Sequence, residues 1–110
     1  MKLLKLQIGG TKENLVDYLV RSIEFEYIDD AEDIAVLAGE EYRLRTNSNQ
    51  MFMITIRKGG RSLKVNLVSG GGGEGMLGWS LGSEKAFLKS TKRKIKEYCA
   101  TNNLEYSELV

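Results

Sequence analysis

Met51-Phe52-Met53-Ile54-Thr55-Ile56-Arg57-Lys58-Gly59-Gly60-Arg61-Ser62-Leu63-Lys64-Val65-Asn66-Leu67 reads as two strands and the turn between them. In the first arm, Met51 to Arg57, Phe52, Ile54 and Ile56 recur at every second position, so they share one face of a pleated strand. In the second, Leu63, Val65 and Leu67 alternate with Lys64 and Asn66. Lys58-Gly59-Gly60-Arg61 joins them as a hairpin turn, because glycine reaches positive φ without a steric cost.

On the N-terminal side, Thr46-Asn47-Ser48-Asn49-Gln50 is a cluster of turn formers, and Glu41 to Arg45 before it continues as a strand. Glu24-Phe25-Glu26-Tyr27-Ile28 alternates, Asp29 to Asp33 is a polar turn, and Ile34 to Ala38 is an apolar run: two short strands or a hairpin. Leu4, Leu6 and Ile8 alternate with Lys5 and Gln7 in a first strand that Gly9-Gly10 ends. Thr11 is placed to cap a helix from Lys12 to about Ile23, where Leu15, Val16, Leu19, Val20 and Ile23 recur at spacings of three and four.

On the C-terminal side, a glycine run from Gly70 to Gly75 leads into Met76-Leu77-Gly78-Trp79-Ser80-Leu81, which reads as a last strand with Leu77, Trp79 and Leu81 on one face. Ser83 then caps a helix from Glu84 to about Ala100. Its apolar stripe is Phe87, Leu88, Thr91, Ile95, Tyr98 and Cys99, and Lys85, Lys89, Lys92, Arg93 and Lys96 spread over the remaining surface. Thr101-Asn102-Asn103 stops the helix, and the tail from Leu104 to Val110 either packs or frays. The expectation is one α+β domain over 1–110: an antiparallel sheet of about five or six strands with two helices on one face, in the order β-α-β-β-β-β-β-α.

Composition bounds the chemistry. The chain has 110 residues, 42% hydrophobic and 28% charged, the balance of an ordinary folded domain. It has no histidine, which removes Ser-His and Cys-His nucleophile pairs and with them most hydrolase mechanisms. Cys99 is the one cysteine, so no intrachain disulfide forms and a reducing compartment, the cytoplasm, is expected. No apolar stretch reaches membrane-span length, and no membrane role is expected. The net charge is +1 but uneven: ten acids and four bases through Glu41, twelve bases and five acids from Tyr42 onward. The two halves either neutralise each other within the fold or face a partner, a second copy included.

The residues from Gly70 through Phe87, with Gly71, Gly72, Gly73 and Gly75 and the Trp79-x-x-Gly82-Ser83-Glu84-x-x-Phe87 stretch, resemble the end of a small bacterial family of uncharacterised function. The resemblance implies a shared fold and carries over no catalytic or binding residue.

Several residue groups offer sites. The glycine run satisfies Gly-x-Gly-x-x-Gly twice, at Gly70, Gly72, Gly75 and at Gly73, Gly75, Gly78. A dinucleotide site requires a strand before the glycines and a helix opening at their end, whereas here a strand is expected to follow. What remains is a hairpin loop, or a rim of glycines that with Trp79 and the helix start at Ser83 holds a small anionic ligand. Asp29, Asp30, Glu32 and Asp33 are dense enough for a hard cation but lack the glycine pivot and distal glutamate of an EF-hand loop, so a solvated acidic turn is favoured. Lys85, Lys89, Lys92, Arg93 and Lys96 form either a solvated charged face or a phosphate-tracking surface for nucleic acid. Cys99 on the helix stripe reads as a small buried hydrophobe. Met51, Met53, Met76 and Trp79 either pack the core or line a ligand cavity between sheet and last helix. No catalytic set assembles and no cofactor is expected. The reading is a non-enzymatic binding or interaction module, with a small-ligand binder as the alternative and a nucleic-acid binder behind it.

Overall fold

The computed structural model describes the backbone of residues 2–43, 48–71 and 79–109, and their side chains apart from those of 41–50, 71 and 79–86. The elements follow in the order β1 (Lys2–Ile8), α1 (Lys12–Ser22), β2 (Tyr27–Asp30), β3 (Ile34–Arg43), β4 (Ser48–Gly59), β5 (Ser62–Gly71), α2 (Trp79–Thr101) and β6 (Tyr106–Leu109). The fold is α+β, as expected: a six-stranded sheet ordered β2-β3-β4-β5-β1-β6, with every neighbouring pair antiparallel.

The hairpin that opens the sequence reading is the centre of this sheet. Gly59 pairs with Ser62 across a loop of two residues, Gly60 and Arg61, and Gly60 takes φ +72°. Positive φ at the first loop position alone is what a type II′ turn requires, and its twist matches that of the strands. On the far side of β5, β1 pairs along its whole length, Leu6 opposite Val65 and Ile8 opposite Leu63.

Both helices cover one face of the sheet. Leu6, Ile8, Leu37, Phe52, Ile54, Ile56, Val65 and Leu67 point into a core closed by Leu15 and Leu19 of α1 and by Phe87, Ile95 and Cys99 of α2. Thr11 caps α1 by accepting from the Asn14 amide at 3.2 Å. Val20, expected in the helix stripe, is instead 40% exposed at the margin of the contact.

Several boundaries differ from the sequence reading: β2 is Tyr27–Asp30 rather than a strand from Glu24, and β4 begins at Ser48, within the expected turn. The apolar run at Ile34 and the segment at Glu41 join into one ten-residue strand, β3. The strand expected at Met76–Leu81 is not the sheet's sixth: 72–78 lie outside the described residues, and Trp79, Ser80 and Leu81 are the first residues of α2. A six-residue apolar run fits either element by periodicity, and β5 is already flanked by β4 and β1, so no strand following it could pair with it. The sixth strand comes from the tail. Asn103 takes φ 57° after α2, the Leu104 amide reaches back to the Cys99 carbonyl at 2.8 Å, and this Schellman turn aims the chain back along β1.

Candidate functional site

Because the helices occupy one face, the other is uncovered among the described residues, and it is not a polar surface. Antiparallel register aligns side chains in rows across the strands. One row runs Tyr27, Ala38, Met53, Val68, Leu3 across β2, β3, β4, β5 and β1. Tyr27 is 54% exposed, Leu3 55% and Met53 38%, and Met51 beside the row reaches 56%. The next row is Asp29, Val36, Thr55, Asn66, Lys5, Leu109. The charges on this face are segregated: Asp29 and Glu40 lie on β2 and β3, Lys5 and Lys64 on β1 and β5, with Arg57 at the hairpin end of β4. Acidic and basic side chains therefore remain apart on this face, while elsewhere the two halves of the chain pair, Glu13 with Lys58 at 3.8 Å.

Two other places have geometry suited to binding. A cleft of about 440 Å³ lies between α1 and the C-terminal end of α2, bordered by Asn14, Asp17, Arg21, Glu97 and the rings of Tyr18 and Tyr98, whose centroids are 4.8 Å apart and whose planes are tilted by 34°. The Tyr18 hydroxyl donates to the Lys94 carbonyl at 3.0 Å, which holds the helices together there. Burial raises the Tyr98 pKa, so this ring stays a neutral phenol at physiological pH. A smaller hollow at the start of α1 contains Lys12, Glu13, Lys58 and Arg61. The backbone amide of Glu13 holds its carboxyl below the ordinary range, assisted by Lys58 and Lys12.

The residues singled out from sequence are distributed differently. Gly71 ends β5 opposite Gln50, and Gly72, Gly73 and Gly75 lie outside the described residues. Trp79 is the first residue of α2 rather than part of a strand, and Ser83 sits inside that helix. Ser83 is therefore not its cap, because the helix already has its first turn before it. Lys85 lies in the same stretch of α2. Lys89 and Arg93 are exposed, whereas Lys92 is paired with Glu108 and the Lys96 ammonium sits 5.8 Å from the Tyr106 ring centre. The basic side of α2 thus serves in part to hold β6. Asp29 and Asp30 belong to β2 rather than to a free turn, and Asp30 is committed to Lys12. Among the described residues, no three acidic or cysteine side chains converge on a point where a metal could bind. Met51 and Met53 face away from the helices, so they line no cavity beneath α2. Cys99 is buried, and burial raises its pKa, which keeps it an inert thiol.

The uncovered face was not singled out from sequence, although a signal for it is present. Ile34-Ala35-Val36-Leu37-Ala38 and Met51-Phe52-Met53-Ile54 are apolar at consecutive positions, and a strand with that pattern is apolar on both faces. No helix among the described residues is long and apolar enough to cross a membrane. No curated protein and no solved structure matches the chain. The Family of unknown function (DUF6054) matches residues 5–99, which run from the middle of β1 to the last turn of α2, and the chain belongs to that family.

Proposed function

We propose that this chain is a non-enzymatic protein-interaction module that works through the uncovered face of its sheet. One observation carries the reading: a row of apolar side chains, Tyr27, Ala38, Met53, Val68 and Leu3, crosses five strands on the face the helices leave open. Contiguous exposed apolar surface rimmed by charge is the usual mark of a contact surface. The lone cysteine fits action in a reducing compartment such as the cytoplasm. Peroxide oxidation of the methionines, read by mass spectrometry, tests the proposal. Met51 and Met53, each referred to the chain's other methionines so that cellular peroxide removal and sulfoxide repair cancel, are expected to oxidise several-fold more slowly in cells than in the dilute purified chain. Equal rates in both settings overturn the reading.

A second reading, a small-ligand site, is favoured by the cleft between α1 and α2, whose volume is within the range of small-molecule pockets. Its paired tyrosine rings suit a flat or cationic organic compound. A library of such compounds that leaves the melting temperature unchanged at millimolar concentration removes it.

A further inference from the structure

We propose that the uncovered face is closed by a second copy of the same chain, the two sheets stacking about a two-fold axis that lies between them and runs along β4. This rests on the interaction reading above and names its partner.

The layout of the face supports a self-complementary contact. In an isologous pair, whatever one copy offers the other must receive, so a face suits its own copy when opposite characters lie at equal distances from the axis. Five strands from β2 to β1 place β4 at the centre. Rotation about β4 brings β2 over β1 of the second copy and β3 over β5. Each row then lies over itself in reverse. Tyr27 meets Leu3 of the second copy, Ala38 meets Val68, and Met53 meets Met53, so the apolar row is covered from end to end. In the next row, Asp29 meets Lys5, Val36 meets Asn66, and Thr55 meets Thr55. The Asp29–Lys5 contact occurs twice by symmetry, once at each margin, which leaves the centre apolar and the charges at the rim.

The two end rows fit this arrangement less well, since Lys64 meets Ile34 of the second copy and Glu40 meets Gly70. Arg57 meets its own copy, but at the hairpin end of the stack, where a long side chain reaches past the sheet into water.

Size and edges agree with face-to-face stacking. Five strands spaced about 4.8 Å apart and rows about 6.8 Å apart give a footprint of roughly 500 Å² per copy, or about 1,000 Å² in all, the lower bound for a specific interface. That predicts a dissociable dimer. The edge strands are poor alternatives for pairing, since β2 and β6 are four residues each and carry Asp29, Asp30 and Glu108.

Sedimentation equilibrium of the purified chain tests the proposal. The expected result is a reversible monomer–dimer equilibrium at micromolar concentration. Asp29→Lys and Lys5→Glu each weaken the dimer by about ten-fold, because symmetry doubles every lost or reversed pair. The double variant D29K/K5E restores it, and circular dichroism melting checks that each variant is folded. Arg57→Ser tightens the dimer several-fold. A purified chain that remains monomeric at a few hundred micromolar overturns the proposal, and so does a double variant no better than the singles. If the purified chain is monomeric yet Met51 and Met53 are protected in cells, the second copy is the wrong partner and the interaction reading stands. If neither is seen, both fall.

Discussion

The Lys12 ammonium, on a residue only 2% exposed at the first position of α1, lies 2.5 Å from the Asp30 carboxylate on the edge strand β2. The Glu13 carboxylate, 3.7 Å from the same ammonium, is also 3.8 Å from Lys58 next to the central hairpin. These charges join the start of the helix to an edge of the sheet and to its middle strand. The arrangement explains why β2, with all four side chains exposed, remains attached to the sheet although little apolar burial holds it.

Removing one member of the pair affects the two partners unequally, because Lys12 is buried and Asp30 is partly solvated. Asp30→Asn is expected to cost about 2 kcal/mol, since Lys12 then keeps a buried charge with only the more distant Glu13 carboxylate, 3.7 Å away, to offset it. Lys12→Met should cost less, because its stem remains packed and Asp30 is partly solvated. Urea unfolding of the two variants gives the comparison, and equal losses would mean that the pair is not what Lys12 contributes.

The same pair makes an alkaline prediction. The hydrogen bond to Asp30 raises the Lys12 pKa above its ordinary 10.5, outweighing the opposing effect of burial. Tyr106 is pushed up to about 12, by burial first and by Glu108 second. Both groups hold their protons more tightly in the folded chain. Their contributions are therefore complete below the ordinary values, 10.5 for Lys12 and 10.0 for Tyr106, and are lost as pH rises through the folded-state values. Melting temperature should fall between about pH 10 and 12, less steeply in Tyr106→Phe, and phenolate absorbance should show a late-titrating tyrosine that this variant lacks.

Two glycines are expected to resist substitution for different reasons. At Gly39 a Cβ would lie 2.6 Å from the Glu26 carboxylate and 2.9 Å from the Phe52 ring. Glu26 can swing aside, although it would give up the Glu40 amide, which it accepts at 2.9 Å. Phe52 cannot, as it stacks on Phe87 at 4.4 Å and meets Phe25 at 5.8 Å. Gly39→Ala should therefore cost about 2 kcal/mol, and a second change, Glu26→Ala, should not recover it. At Gly60 nothing lies within 4 Å, and the constraint is its φ of +72°. Gly60→Ala should cost about 1 kcal/mol and Gly60→Asn as much, because the first position of a type II′ turn lies outside the left-handed helical region that asparagine tolerates.

Cys99 reports on opening. The thiol is 1% exposed, and burial raises its pKa, so an aromatic disulfide reagent at pH 8 should react only when the helix leaves the sheet. The rate should rise in step with the urea sensitivity of Asp30→Asn. Rapid labelling of the native chain would show that α2 detaches without global unfolding.

How much of this was legible in the sequence depended on whether the information was local. The Met51–Leu67 hairpin, the Thr11 cap and the α1 stripe are written within a few residues and were readable. The position of β1 between β5 and β6 was not, because pairing Leu6 with Val65 is a choice among strands that no neighbouring residue records. The tail was ambiguous for the same reason: Tyr106-Ser107-Glu108-Leu109 becomes a strand only because β1 has a free edge and the Asn103 turn points the chain at it. The uncovered face was overlooked because one alternating set in each strand, Phe52, Ile54 and Ile56 in β4, accounted for the core, and Met51 and Met53 were read as interior residues.

The position of β1 also sets an order of events during synthesis. Its partner strand β5 begins more than fifty residues later, at Ser62, and β6 after a further helix. At a ribosomal rate of about 5–20 residues per second, β1 waits for several seconds with its apolar alternation unpaired, and only the hairpin arriving as a unit can dock against it. Of the six strands described, the earliest made is the last to gain both neighbours, so the nascent chain passes through a sheet of β2, β3, β4 and β5 that exposes one growing edge. A slow codon cluster before the hairpin would prolong that exposure, whereas one after α2 would leave only the β6 edge unfinished.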